Sequence, residues 1–175
     1  MNRKMKRISA YISAAVIGTS AFSATTYAKN YDIPSGDTWF KSYMDYRAIT
    51  DTSSKQYELQ QNAFTDDNGL RKYGDYYLVA MGTYYTGDVG NTFRITLDTG
   101  IEFNVMTGDI KDDLCTDKLN MYSPVYDSKG DYISANVIEF IVDTDTLDSS
   151  VKKLGTISGY DFFKGNITAI ERIEE

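Results

Sequence analysis

Two acidic residues carry the strongest chemical signal in this chain. Asp109 sits in "FNVMTGDIKDD", where an apolar run through Phe103 and Val105 stops at Gly108 and three aspartates follow within five residues. Glu139 lies in "NVIEFIVD", between Ile138 and Phe140. A carboxyl among apolar neighbours is costly unless it is paired or functional. Two such groups can act as general acid and base, because burial or a second carboxylate raises a carboxyl pKa toward the proton-transfer range. The chain has no His, which excludes Ser-His-Asp and Cys-His catalysis and His-ligated zinc. Proton transfer is left to carboxylates, Tyr, Lys or water.

Other residues add weaker signals. Tyr84 and Tyr85, with Tyr73, Tyr76 and Tyr77 nearby, offer flat faces that can stack on sugar rings, although Tyr is also an ordinary strand and core residue. Lys111 is spaced to hold an anionic group near Asp109 or to solvate the turn. Asp117 and Thr116 share a loop with Cys115, the only cysteine, which can form no intramolecular disulfide and has no His to activate it. "LDTG" at 97–100 matches the Asp-Thr-Gly of aspartic proteases, but a shared proton needs two carboxylates, so Asp98 would act only in a homodimer. The plainer reading of the same residues is a hairpin turn. The acidic pairs in "FTDDNG", "YDSKGD" and "VDTDTLD" lack a complete EF-hand pattern, and no metal or other cofactor is expected.

These residues need elements to position them. Residues 1–28 read as a signal peptide: Arg3, Lys4, Lys6 and Arg7 precede an apolar, small-residue stretch, and Thr26-Tyr27-Ala28 supplies the cleavage pattern. Its removal takes four basic residues and no acidic ones, so 14 basic against 25 acidic residues leave a net charge near −11. Such a chain is repelled by nucleic acid. No later stretch is apolar for long enough to span a bilayer, and a secreted or extracellular location follows.

The remaining chain reads as one mostly β domain, 62–175, behind a polar, Tyr-rich N-terminal extension, 29–61. Residues 76–81, 92–97, 101–106, 137–142 and 166–173 are rich in β-branched and aromatic residues, several alternating at period two. Gly100 and the "TDDNG" run at 65–69 mark turns. Leu147, Val151 and Leu154 form a helical stripe that Asp148 or Ser149 can cap and Gly155 can end. Many short strands with one late helix predict a small closed barrel, which would leave no exposed edges.

The order of these segments resembles the double-psi β-barrels of the three-aspartate (3D) cell-wall domains, related to lytic transglycosylase and rare-lipoprotein-A-like barrels. "VAMGTYYTGDVGNTFRITL", "VMTGDIK", "NVIEFIVD" and "DSSVKKLG" stand in the family's order, across roughly residues 76 to 173. Asp109 matches the middle aspartate and Glu139 the place of the third, while Gly82 follows "VAM" where the first would stand. The resemblance implies a six-stranded double-psi-like barrel with one short helix and a peptidoglycan partner. It also implies either lytic glycan cleavage through Asp109 and Glu139 or non-catalytic wall binding on the same scaffold.

Overall fold

The alternating segments do form strands, and the partners they choose make an open sheet. The computed structural model describes residues 26–174, with side chains described for 29–173; residues 1–25 of the expected leader lie outside that range. The main sheet is built outward from β5 (Tyr76–Met81). On one side β5 runs parallel to β7 (Glu102–Ile110), followed by β6 (Thr92–Leu97), β11 (Ile167–Glu174) and β1 (Thr26–Tyr31). On the other, β10 (Ile138–Val142) pairs antiparallel with β5 and parallel with β2 (Tyr43–Asp45). The start of β5 carries β4 (Arg71–Tyr73), which pairs in turn with β3 (Phe64–Thr65). A separate hairpin joins β8 (Ser123–Tyr126) to β9 (Tyr132–Asn136).

The expected closed six-stranded barrel is not formed. Among the described residues the strand path ends at β1 and β2, which do not pair with each other. Period-two alternation shows only that one face of a strand is buried; it is the same whether the sheet closes or not. Here other segments seal the apolar face. Phe93, Ile95, Phe103, Val79, Ile138 and Phe140 from the strands share one core with Val151, Ile157 and Phe163, which follow β10. Phe163 stacks edge-on against Phe103 at 5.1 Å, Phe140 at 4.9 Å and Tyr77 at 5.3 Å.

Residues 29–61 supply strands to both ends of the main sheet, since β1, which ends at Tyr31, lies beside the last strand and β2 beside β10. One expectation changes: among the described residues there are two α-helices, not one. The late helix α2 (Ser149–Leu154) starts at Asp148, which accepts from the Ser150 amide at 2.7 Å, and ends at Gly155 with φ of 69°. The other helix, α1 (Lys55–Asn62), is capped by Ser54 and buries only Gln60, so it carries no apolar stripe to announce it. No helix among the described residues is long and apolar enough to cross a membrane.

Lys41 shows how tightly the N-terminal segment is built in. Its side chain is fully buried, and its ammonium donates to the carbonyls of Gly165 at 2.8 Å and Trp39 at 3.1 Å. Burial lowers its pKa from 10.5 to about 8, and the nearby Asp98 carboxylate offsets part of that. Between these values the unfolded chain holds a proton that the folded one releases, so this group adds stability as pH rises. The stability of wild type relative to Lys41→Met is therefore expected to increase from pH 8 to about pH 10, measured by urea unfolding. Phe163→Ala should cost about 3–5 kcal/mol in the same assay, although Phe163 lies outside every strand.

Candidate functional site

Register places Asp109 and Glu139 in one transverse row. Ala80 of β5 is opposite Asp109 on one side and Glu139 on the other. Paired residues on adjacent strands share a face, so all three side chains lie on the same side of the sheet. Ser42, whose carbonyl accepts from the Phe140 amide at 2.8 Å, extends the row at the β2 edge. Two inter-strand steps separate the acidic residues, about 10 Å between backbones.

A bulge brings Asp109 into this row. Val79 is opposite Thr107 but Ala80 is opposite Asp109, so Gly108 is passed over in the parallel pairing. A Cβ at Gly108 would come 2.7 Å from Ile141 Cδ1 and 3.3 Å from Leu78 Cβ, so any larger residue there would have to displace the Ile141 side chain. The preceding Thr107 is fixed by the 86–91 loop, where the Gly90 amide donates to its carbonyl at 2.7 Å and its own amide donates to the Asn91 carbonyl at 2.8 Å. Asp109 therefore lies within β7, where the sequence predicts a strand ending at 106.

The two carboxylates have different surroundings. Asp109 opens into a depression of about 310 Å³ walled by the β2–α1 connection, with Met44, Asp51, Ser54 and Gln56 around it. Ser53 donates its hydroxyl and amide to Asp51 at 2.7 and 2.9 Å and holds that carboxyl below its ordinary range. Glu139 does not line this depression. It accepts from Ser42 Oγ at 3.0 Å, and Asn136 fixes Ser42 by donating to that hydroxyl at 2.6 Å and accepting its amide at 3.1 Å.

Lys111 completes the Glu139 side. Two residues beyond Asp109, it is buried, and its ammonium reaches Ser123 Oγ at 3.4 Å. Burial lowers its pKa, while the negative charge of Glu139, and then Cys115, pulls it back up. Lys111 is thus buried within the electrostatic reach of Glu139, with no direct ion pair between them, and does not solvate a turn. Ser42, Asn136 and Ser123 complete this cluster, and no spacing in the sequence connects them.

The remaining candidates lie apart from this row. Tyr85 is 2% exposed, packs against Tyr31 at 5.5 Å and Tyr84 at 5.1 Å, and offers no stacking platform. Tyr84 donates its hydroxyl to Asp32 at 3.0 Å and is held against the N-terminal segment. Asp117 accepts from the amides of Met121 at 2.6 Å and Tyr122 at 3.2 Å, closing its own loop. Asp98 lies in the hairpin at Gly100, whose φ is 82°, and accepts from Asn166 Nδ2 at 2.9 Å. Cys115 is an exposed free thiol. No group of three or more His, Cys, Asp or Glu side chains arranged to hold a metal occurs among the described residues.

Removing the Glu139 charge tests the internal pairing. Glu139→Gln is expected to cost about 1–3 kcal/mol at pH 7, where Ser42 loses a charged acceptor and the buried Lys111 ammonium loses a nearby negative charge. With the Lys111 pKa lowered, the deficit should shrink as pH rises and the amine becomes neutral in both proteins. Urea unfolding at pH 7 and pH 10 measures both effects.

Comparison with family models, with characterised proteins and with solved structures finds no match for this chain.

Proposed function

We propose that this is an exported cell-envelope protein that binds wall glycan at the depression beside Asp109 and does not cleave it. One observation carries the reading: Asp109 opens into that depression, while Glu139 is turned to partners within its own chain. A free carboxylate on a rigid strand, with Ser54 and Gln56 close by, accepts and donates hydrogen bonds to a polyhydroxylated ligand. The leader-like residues 1–28 and the likeness of 76–173 to 3D cell-wall domains support an extracellular glycan as the partner.

The second reading is lytic cleavage with Asp109 and Glu139 as acid and base. The shared row opposite Ala80 favours it, since a ligand crossing β5 would meet both carboxyls. In this reading one carboxyl protonates the leaving oxygen and then accepts the proton of the sugar's own hydroxyl. Against it stand the Ser42 bond and the Lys111 charge, which already occupy Glu139.

Co-sedimentation of the 29–175 chain with insoluble wall glycan separates the two. Binding should weaken about tenfold in Asp109→Asn, the worth of one hydrogen bond to a charged group, with no anhydro-sugar released by wild type. Undiminished binding by the variant overturns the site. Anhydro-sugar release that both Asp109→Asn and Glu139→Gln abolish replaces binding with cleavage.

A further inference from the structure

Lys41 and Lys111 are both buried, but they are bonded very differently. The Lys41 ammonium has three acceptors: the carbonyls of Gly165 at 2.8 Å and Trp39 at 3.1 Å, and Ser158 Oγ at 3.4 Å. Among the described residues the Lys111 ammonium has one, Ser123 Oγ at 3.4 Å, and no direct ion pair with Glu139. A buried ammonium short of acceptors gives up its proton readily. The neutral amine then presents a lone pair to the same hydroxyl, and Ser123 donates to no other group among the described residues. The hydrogen bond can therefore run either way, from Nζ to Oγ or from Oγ to Nζ.

The fold holds the two groups in place. The Lys111 amide donates to the Met81 carbonyl at 3.0 Å and carries the β5–β7 pairing past Ile110. The chain then loops back over β5. Asp117 ties this loop to the amides of Met121 at 2.6 Å and Tyr122 at 3.2 Å. The Asn120 carbonyl lies against Gly82, where a Cβ would come 2.0 Å from it, so the loop approaches as far as glycine allows. Ser123 follows as the first residue of β8, opposite Asn136 of β9. It is only partly buried, while the lysine behind it is secluded. A reachable hydroxyl backed by a desolvated amine is the layering that activates a serine in the absence of histidine.

We infer that Ser123 and Lys111 are the nucleophile and general base of a site that hydrolyses carboxylic esters. The neutral Lys111 Nζ takes the Ser123 proton as Oγ bonds to the carbonyl carbon, and the C=O electron pair moves onto oxygen. That pair returns as the bond to the alcohol breaks, and the alcohol leaves with the proton from Lys111. Water, deprotonated by Lys111, then attacks the acylated serine and releases the acid, with the proton returned to Oγ. With one proton carrier in reach, an ester fits better than an amide, because its leaving oxygen departs more readily than an amine. Lys111 keeps its contact with Ser123 throughout and needs none with the substrate. The site stands apart from the glycan reading, since neither residue lines the Asp109 depression.

Burial lowers the Lys111 pKa, while the charges of Glu139 on β10 and then of Cys115 in the 112–122 loop raise it. Removing the Glu139 charge should therefore make Lys111 a base at lower pH.

The test is labelling of the 29–175 chain by a fluorophosphonate, with the site located by tandem mass spectrometry, and turnover of p-nitrophenyl butyrate. The label should sit on Ser123, and Ser123→Ala should abolish both label and turnover. Lys111→Arg keeps a cation and a donor but cannot act as base, and should slow both by about a hundredfold, the worth of general-base catalysis. The wild-type labelling rate should rise with pH as Lys111 loses its proton, and in Glu139→Gln that rise should move to lower pH. A lysine that only fills space would leave the rise where it is, and this readout holds even where arginine does not fit at 111. A label elsewhere, no turnover above the Ser123→Ala background, or an unmoved pH profile in Glu139→Gln overturns the assignment.

Discussion

Everything in this molecule is hung on the double pairing of β5. Its residues 79–81 bond to β7 on one side and to β10 on the other, and its start also carries β4. A strand paired on both edges and covered on both faces must be apolar throughout, and Leu78, Val79, Ala80 and Met81 are all buried. The two neighbours also fix the register. A one-residue slip of either would turn Glu139 or Asp109 into the aromatic core, where a lone carboxylate is prohibitively costly. The acidic row is thus a consequence of how the core is packed.

The second face of the sheet shows how polar groups are tolerated so close to that core. Leu78, Ala80 and Ile141 bury it locally, Gln60 of α1 covers Gly108, and the row then runs out through Glu139 to Ser42 at the sheet edge. Lys111 on this side and Lys41 on the core side are both buried ammonium groups with lowered pKa values. Each survives because acceptors reach it, a serine hydroxyl for Lys111 and backbone carbonyls with Ser158 for Lys41, and because a carboxylate farther off, Glu139 or Asp98, favours the charge. Lys41 also bonds residues far along the chain, at Ser158 and Gly165, which fastens the N-terminal segment to the last third of the protein. Neither residue is available to a ligand without breaking those contacts.

Two depressions of the molecule lie on the short connection from β2 to α1. It leaves the sheet edge at Asp45, is held by the Arg47 ion pairs, and returns through the Ser54 cap. Both depressions form against this connection, one toward Asp109 and one toward Gln60. A loop braced by ion pairs and a helix cap between rigid elements can position polar side chains with little conformational freedom left to lose on binding.

The sequence by itself determined the segments of β5, β6, β7, β10 and β11, the late helix with Asp148 and Gly155 at its ends, and the turns at Gly69 and Gly100, because each depends on period, capping or backbone freedom within a few residues. It also singled out Asp109 and Glu139, since acidic residues beside apolar runs are visible locally. Tertiary structure decided the rest. Whether the sheet closes depends on which strands meet and what seals the core, and Phe163, which does much of that sealing, belongs to no periodic pattern. The seclusion of Lys111 and Tyr85, and the pairing of Glu139 with Ser42, are contacts between segments that are distant in the chain or carry no pattern of their own. The α1 helix went unannounced because its single buried residue is a glutamine. Local order is encoded locally, but what a carboxylate faces is set by the strand across the sheet.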